Sequence, residues 1–166
     1  GTALIQVRKA TNNDIMGIQH VAHVTWHDTY EHTMRPDTRA HFLAEFYNEE
    51  SLARSLKRED AVFLVAEQQG HIVGFVQALP RPQSGYEVTR AYVLPKYQRR
   101  GVGGQLHAEL VGQLPDQRLW AIVQRENHGA IAFYRNHGFE QQRELELPIY
   151  GETLNFVEFS LICAAD

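Results

Sequence analysis

Apolar and polar residues alternate in Leu4-Ile5-Gln6-Val7-Arg8, and this period of two predicts a first strand. The spacing then becomes helical. Ile15, Ile18, Val21, Ala22 and Thr25 recur on one side behind Thr11 and Asp14, a pair suited to a capped N-terminus, so a helix runs to about Asp28. Pro36 interrupts, Asp37 or Thr38 caps a second helical stretch through Phe42, Leu43 and Phe46, and residues 49–56 add a further turn or two. Sheet follows: residues 61–66 form a continuous apolar run, Gln69-Gly70 is a turn, and residues 72–79 are the antiparallel partner. A strand over 86–94, a helix over 104–114 with Leu106, Leu110 and Leu114 inward, and a strand over 119–124 come next. A helix over 127–137 stops at Gly138, which suits a left-handed cap, and Phe139 returns to the core. Two closing strands, 140–147 and 154–162, are joined around Pro148-Ile149-Tyr150-Gly151. This order predicts an α/β (α+β) protein with a mixed sheet and helices on its faces.

Composition narrows the picture. A chain of 166 residues with 43% hydrophobic and 22% charged residues is read as one globular domain, residues 1–166. The net charge of -4 gives no field that draws nucleic acid and mildly favours a cationic substrate. Cys163 is the sole cysteine, so no internal disulfide forms. No apolar run has the length of a membrane span and the start lacks a signal-peptide pattern, so a cytoplasmic protein without a membrane partner is expected.

The most informative stretch begins where the strand ending at Leu94 meets Pro95. A basic turn, Lys96-Tyr97-Gln98-Arg99-Arg100, leads into Gly101-Val102-Gly103-Gly104 and an amphipathic segment. Glycines let a backbone approach a ligand closely, successive N–H groups can converge on an anion, and the following helix adds the positive end of its dipole. Arg99 and Arg100 put fixed charge at the mouth, so this is a candidate phosphate loop. The G-x-G-x-x-G dinucleotide spacing fails, because position 106 is leucine.

Gln98-Arg99-Arg100-Gly101-Val102-Gly103 after a strand, followed by Asn127, Ala130, Phe133-Tyr134 and Gly138-Phe139, resembles the GNAT N-acetyltransferase family. The first motif matches its Q/R-x-x-G-x-G/A pyrophosphate loop and the second its later Asn…Phe-Tyr…Gly-Phe helix; the match covers roughly residues 60–140 and, less specifically, residues 3–14 and the last hairpin. The resemblance implies a GNAT-like acyl-CoA N-acyltransferase fold, with a central mixed sheet of about seven strands. It also implies acetyl-CoA as co-substrate, no metal, and a cleft between the strands ending at Leu94 and Gln124. There the main chain of Ala91, Tyr92 and Val93 would hold the pantetheine arm, and the amides of Arg99, Arg100, Gly101, Val102, Gly103 and Gly104 the pyrophosphate. Asn127 would hold the pantetheine or lead into the next helix, with Tyr134 near the thioester sulfur.

Acetyl transfer to an alkylamine needs a base, since an amine of pKa near ~10.4 is almost fully protonated at neutral pH. Glu87 matches the place where some family members carry a general-base glutamate, and simple alternation puts it with Thr89, Ala91 and Val93; the alternative is a solvated strand carboxylate. Tyr134 is the candidate acid for the departing thiolate. At the end of the first helix, Trp26, Asp28, Tyr30 and Glu31 mix rings with carboxylates, a combination suited to an aliphatic cation and similar, loosely, to the polyamine-acetylating branch; the alternative is that Trp26 and Tyr30 pack the helix pair. The acceptor is therefore expected to be a small-molecule amine such as a polyamine. A protein N-terminus or lysine is the alternative substrate, and a silent acyl-CoA-binding regulatory module the alternative to an enzyme. His20, His23 and His27 share a helical face, but no cysteine or H-E-x-x-H pattern turns it into a metal site. The closing hairpin offers an edge for a homodimer.

Overall fold

One parallel pairing interrupts an otherwise antiparallel sheet, and the site lies there. The computed structural model describes residues 4–165, so Ala3 lies outside the described residues. The strands are β1 (Gln6–Lys9), β2 (Val62–Gln68), β3 (His71–Arg81), β4 (Gly85–Val93), β5 (Arg118–Gln124), β6 (Glu140–Ile149) and β7 (Glu152–Ile162). The helices are α1 (Ile15–Tyr30), α2 (Pro36–Phe46), α3 (Glu49–Lys57), α4 (Val102–Gly112) and α5 (His128–Asn136). They flank a seven-stranded sheet of order β1-β2-β3-β4-β5-β7-β6, in which only β4 and β5 run parallel.

Register separates the two faces. Phe75 and Tyr92 are partners and meet Trp26 of α1 and Tyr47, so this face lies under α1 and the segment after α2. Ala78, Val88 and Ala121 are successive partners on the opposite face, where Phe159, paired with Ala121, stacks on Tyr134 of α5. The core joins both layers: Ile18, Val21 and Leu52 from the first set of helices, Leu106 and Leu110 from α4, and Val65, Phe75, Leu119 and Phe159 from the sheet are all buried. The start of α1 is fixed by Asp14, which accepts two bonds from the Arg8 guanidinium at 2.8 and 2.9 Å and the Thr11 N–H at 2.8 Å.

Three departures from the sequence reading matter. Helix α4 begins at Val102 rather than Gly104, because Gly101 takes a left-handed φ of 83° and turns the chain straight into the helix. Strand β3 continues through Pro80 to Arg81, since β2 pairs no further than Ala78 and a proline is tolerated on an unpaired edge. In β4, Ala78 faces Val88 but Gln77 faces Arg90, so Thr89 is an extra residue in a β-bulge.

Candidate active site

The parallel β4–β5 ladder lasts for three partners, Tyr86–Leu119, Glu87–Trp120 and Val88–Ala121. Beyond them the strands part around a cavity of about 90 Å³ lined by Thr89, Ala91, Ile122, Asn127, Tyr134 and, from α1, Tyr30. The Leu94 N–H donates to Val73 O at 2.9 Å. Because main-chain groups alternate in direction along an antiparallel strand, those of Tyr92 turn toward β3, and those of Ala91 and Val93 toward the opening. Of the three residues expected to present main chain to a pantetheine arm, Ala91 and Val93 turn theirs toward the opening, while Tyr92 turns its main chain to β3 and its side chain to the cavity.

Below the opening the chain forms a cradle. The Gln98 side-chain amide donates to Val93 O at 2.9 Å and folds the turn back on the strand. Arg99 and Gly101 both have positive φ, 63° and 83°, and no atom lies within 4 Å of where a Gly101 Cβ would be. No side chain caps α4, which leaves the amides of Val102, Gly103 and Gly104 for an anion, and exposed Arg99 and Arg100 stand beside them. Gly103 has a second role: a Cβ there would lie 3.1 Å from Phe133 Cε2, so its absence lets α4 and α5 pack closely. Phe133 thus fills the helix interface. His107 and His137 complete this layer with ring centroids 5.0 Å apart, and burial, then the neighbouring His137, lowers the His107 pKa to about 4.

Tyr134 leaves the same helix in the other direction. Its ring packs on Phe139 and Phe159, with centroids at 4.9 and 6.2 Å, and burial holds its phenol above the ordinary value. Asn127 caps α5 through its Oδ1, which accepts the Ala130 N–H at 3.1 Å. Around the opening stand an uncapped helix N-terminus, a strand edge with the Ala91 main chain and the Val93 N–H turned toward it, and a buried, protonated phenol.

The bulge changes the reading of Glu87. Alternation groups it with Ala91 and Val93, but the extra residue at Thr89 inverts the phase, and Glu87 shares a face with Arg90 and Tyr92, the α1 side. Its carboxylate is half-buried, 4.0 Å from the Arg81 guanidinium. Burial pushes its pKa up, Arg81 opposes this, and Glu158 adds to it. Buried Glu158 is itself held by Arg81 at 3.1 Å and Arg143 at 3.0 Å.

The residues at the end of α1 do not converge. Trp26 and Tyr30, one helical turn apart, point inward; Trp26 lies between Tyr30 and Phe42 at centroid distances of 4.7 and 4.3 Å. Asp28 and Glu31 are exposed on the other side of the helix. Tyr30 reaches the cavity, and its hydroxyl is 3.0 Å from that of Tyr92. Not foreseen were Thr33 and Gln124, linked across 91 positions by two hydrogen bonds of 2.7 and 2.9 Å, or Arg35, whose N–H meets Glu152 at 3.2 Å. These bonds tie the loop after α1 to β5 and the β6–β7 turn, and nothing local in sequence signals contacts at such separation. His23 and His27 line a separate groove of about 540 Å³ between α1 and α2; among the described residues no group of three or more metal-ligating side chains occurs. No helix of the described residues is long and apolar enough to cross a membrane.

The site is thus an opened parallel strand pair beside an uncapped, glycine-led helix. The pattern of the Acetyltransferase (GNAT) family matches residues 24–139, and the chain belongs to that family as an acetyl-CoA-dependent N-acetyltransferase. It is 27% identical over 145 residues to a spermidine N(1)-acetyltransferase of Thermoplasma acidophilum, covering 82% of this chain and 88% of the relative. It is 34% identical over 82 residues to the N-alpha-acetyltransferase RimI of Mycobacterium tuberculosis, covering 48% of this chain and 52% of the relative. The crystal structure of the PaiA N-acetyltransferase of Thermoplasma acidophilum with coenzyme A superimposes with a TM-score of 0.77 at 23% identity, covering 93% of this chain and 98% of that one. The resemblance noted in the two motifs and the expected fold of about seven strands both hold.

Proposed function

We propose that the chain acetylates a primary amine of a small molecule of the polyamine class, by direct attack within a ternary complex. Acetyl-CoA supplies the activated acetyl thioester. The amides of residues 99–104 with Arg99 and Arg100 hold the pyrophosphate, and the main chain of Ala91 and Val93 pairs with the pantetheine arm as a further strand would. Glu87 takes a proton from the acceptor ammonium, directly or through water, so that the free amine can attack the thioester carbon. As the carbon–sulfur bond breaks, Tyr134 gives its phenol proton to the leaving sulfur. The raised pKa of Glu87 makes it a stronger base than a solvated glutamate, and the raised pKa of Tyr134 keeps its proton in place until sulfur needs it.

The observation that carries this reading is Tyr134 lining the one place where β4 and β5 part. The polyamine class is supported by the Thermoplasma spermidine relative and by the net charge of -4. A second reading, acetylation of a protein N-terminus or lysine, is supported by the similarity to the tuberculosis RimI enzyme. The test is acetyl-CoA turnover against spermidine, spermine, putrescine, lysine-containing peptides and peptides with free N-termini. Preference for the polyamines supports the first reading, preference for a peptide the second. Coenzyme A binding without turnover of any amine would leave a catalytically silent acyl-CoA-binding module.

A further inference from the structure

We propose that Tyr30 and Tyr92 act as a unit that positions the acceptor amine at the opening between β4 and β5. This rests on the reading that an amine is acetylated there. The two hydroxyls are 3.0 Å apart, one delivered by the last turn of α1 and the other by β4 inside the parted segment. Both side chains line the cavity that Tyr134 lines. They arrive from opposite faces: Tyr134 lies on the face of Phe159 and Ala121, whereas Tyr92 pairs with Phe75 on the face under α1. The bulge at Thr89 creates this arrangement, because it puts the Tyr92 side chain on the Glu87 side while its main chain stays bonded toward β3.

Two facing phenols leave a definite set of unused groups. Burial raises both phenols above their ordinary values, so both are protonated in the working range. One hydroxyl donates to the other, and the remaining proton and the unused oxygen lone pairs are available to a third group. An amine that attacks a thioester must turn its lone pair toward the carbonyl carbon, which directs its N–H hydrogens elsewhere. Phenol oxygens on the α1 face are placed to accept them, across the opening from Tyr134. Trp26, with centroids at 4.7 Å from Tyr30 and 5.9 Å from Tyr92, backs the two rings and fixes their direction. The pair makes and breaks no bond to the reacting atoms; it is a positioning device, distinct from the acid and the base.

The experiment compares Tyr30→Phe, Tyr92→Phe and the double variant with the wild type, using whichever amine of the panel is turned over best. Each single variant is expected to raise the amine KM about tenfold, the weight of one hydrogen bond. The double variant should do no more than either single one, as expected of two groups acting together. Coenzyme A affinity measured by calorimetry should be unchanged, and the melting temperature reports whether each variant folds. An amine KM unmoved in the folded single variants would overturn the proposal, as would an equal loss of coenzyme A affinity, which marks general collapse of the cleft. Failure of the wild type to turn over any amine brings down the activity reading and this inference together; turnover with an unmoved amine KM brings down the inference alone.

Discussion

Thr33 and Gln124 bond to each other twice: the Thr33 hydroxyl donates to Gln124 Oε1 at 2.7 Å, and the Gln124 amide donates to the Thr33 carbonyl at 2.9 Å. Gln124 is 3% exposed and sits at the end of β5, where that strand has left β4. The loop after α1 is therefore pinned to the strand that forms one wall of the cleft. Gln124→Ala leaves the Thr33 groups without these partners and should lower stability by about 2 kcal/mol. Urea titration checks the loss, and the amine KM should rise with it while coenzyme A affinity holds.

Tyr134→Phe keeps the ring that packs on Phe139 and Phe159 and removes the proton. The expected result is a fall in kcat of roughly 100-fold with normal coenzyme A binding. In the wild type the raised phenol pKa should keep the acid in place through the alkaline range where ordinary tyrosines ionise. A Tyr134→Phe enzyme with unchanged kcat would remove the acid role.

Glu87 has to lose its proton to serve as base, so the rate should rise with pH as the carboxyl titrates. Burial, only partly offset by Arg81, moves that rise above the usual glutamate range. Glu87→Gln should abolish this limb of the pH–rate profile and lower kcat/KM. A profile identical in shape and height would assign the base elsewhere.

Gly101→Ala tests the cradle. Space for the methyl is open, but a φ of 83° is unfavourable for alanine, so the turn should relax away from its present shape at a cost of about 1 kcal/mol. Calorimetry should show weaker coenzyme A binding than in the wild type, with a smaller change for a ligand that lacks the pyrophosphate, such as pantetheine.

The His107 pair with His137 makes stability depend on pH. Burial and His137 lower its folded-state pKa from 6.5 to about 4, so between these values the unfolded chain binds more protons. The contribution is fully present above pH 6.5 and is lost as pH falls toward 4. His107→Gln should flatten the slope of unfolding free energy across this window, measured by chemical denaturation at successive pH values.

Local patterns carried most of the fold. The helical spacing of Ile15 to Thr25, the apolar run before Gln69-Gly70 and the glycine stop at Gly138 each specify their element within a few positions, and the observed strands and helices follow that order. The two family motifs were legible for the same reason, since the glycine-led turn before α4 and the Asn127–Tyr134 segment are each contiguous. The surroundings of the loop after α1 were not. Helical geometry sends Asp28 and Glu31 outward while Trp26 and Tyr30 turn in, and the loop is held by Gln124 and Glu152, residues 91 and 117 positions away from their partners. The face of Glu87 escaped because a bulge is one residue of pairing, and alternation alone does not reveal it.

That extra residue in β4 breaks the link between sequence spacing and face. Without it, Glu87 and Tyr92 would be four positions apart in a strand of plain alternation and would still share a face; with it, they share that face at a spacing of five, which alternation alone reads as opposite sides. A homologue one residue shorter here would keep this carboxylate and this hydroxyl on one side, so homologues are best aligned through this strand by its pairing with β3 rather than by residue count.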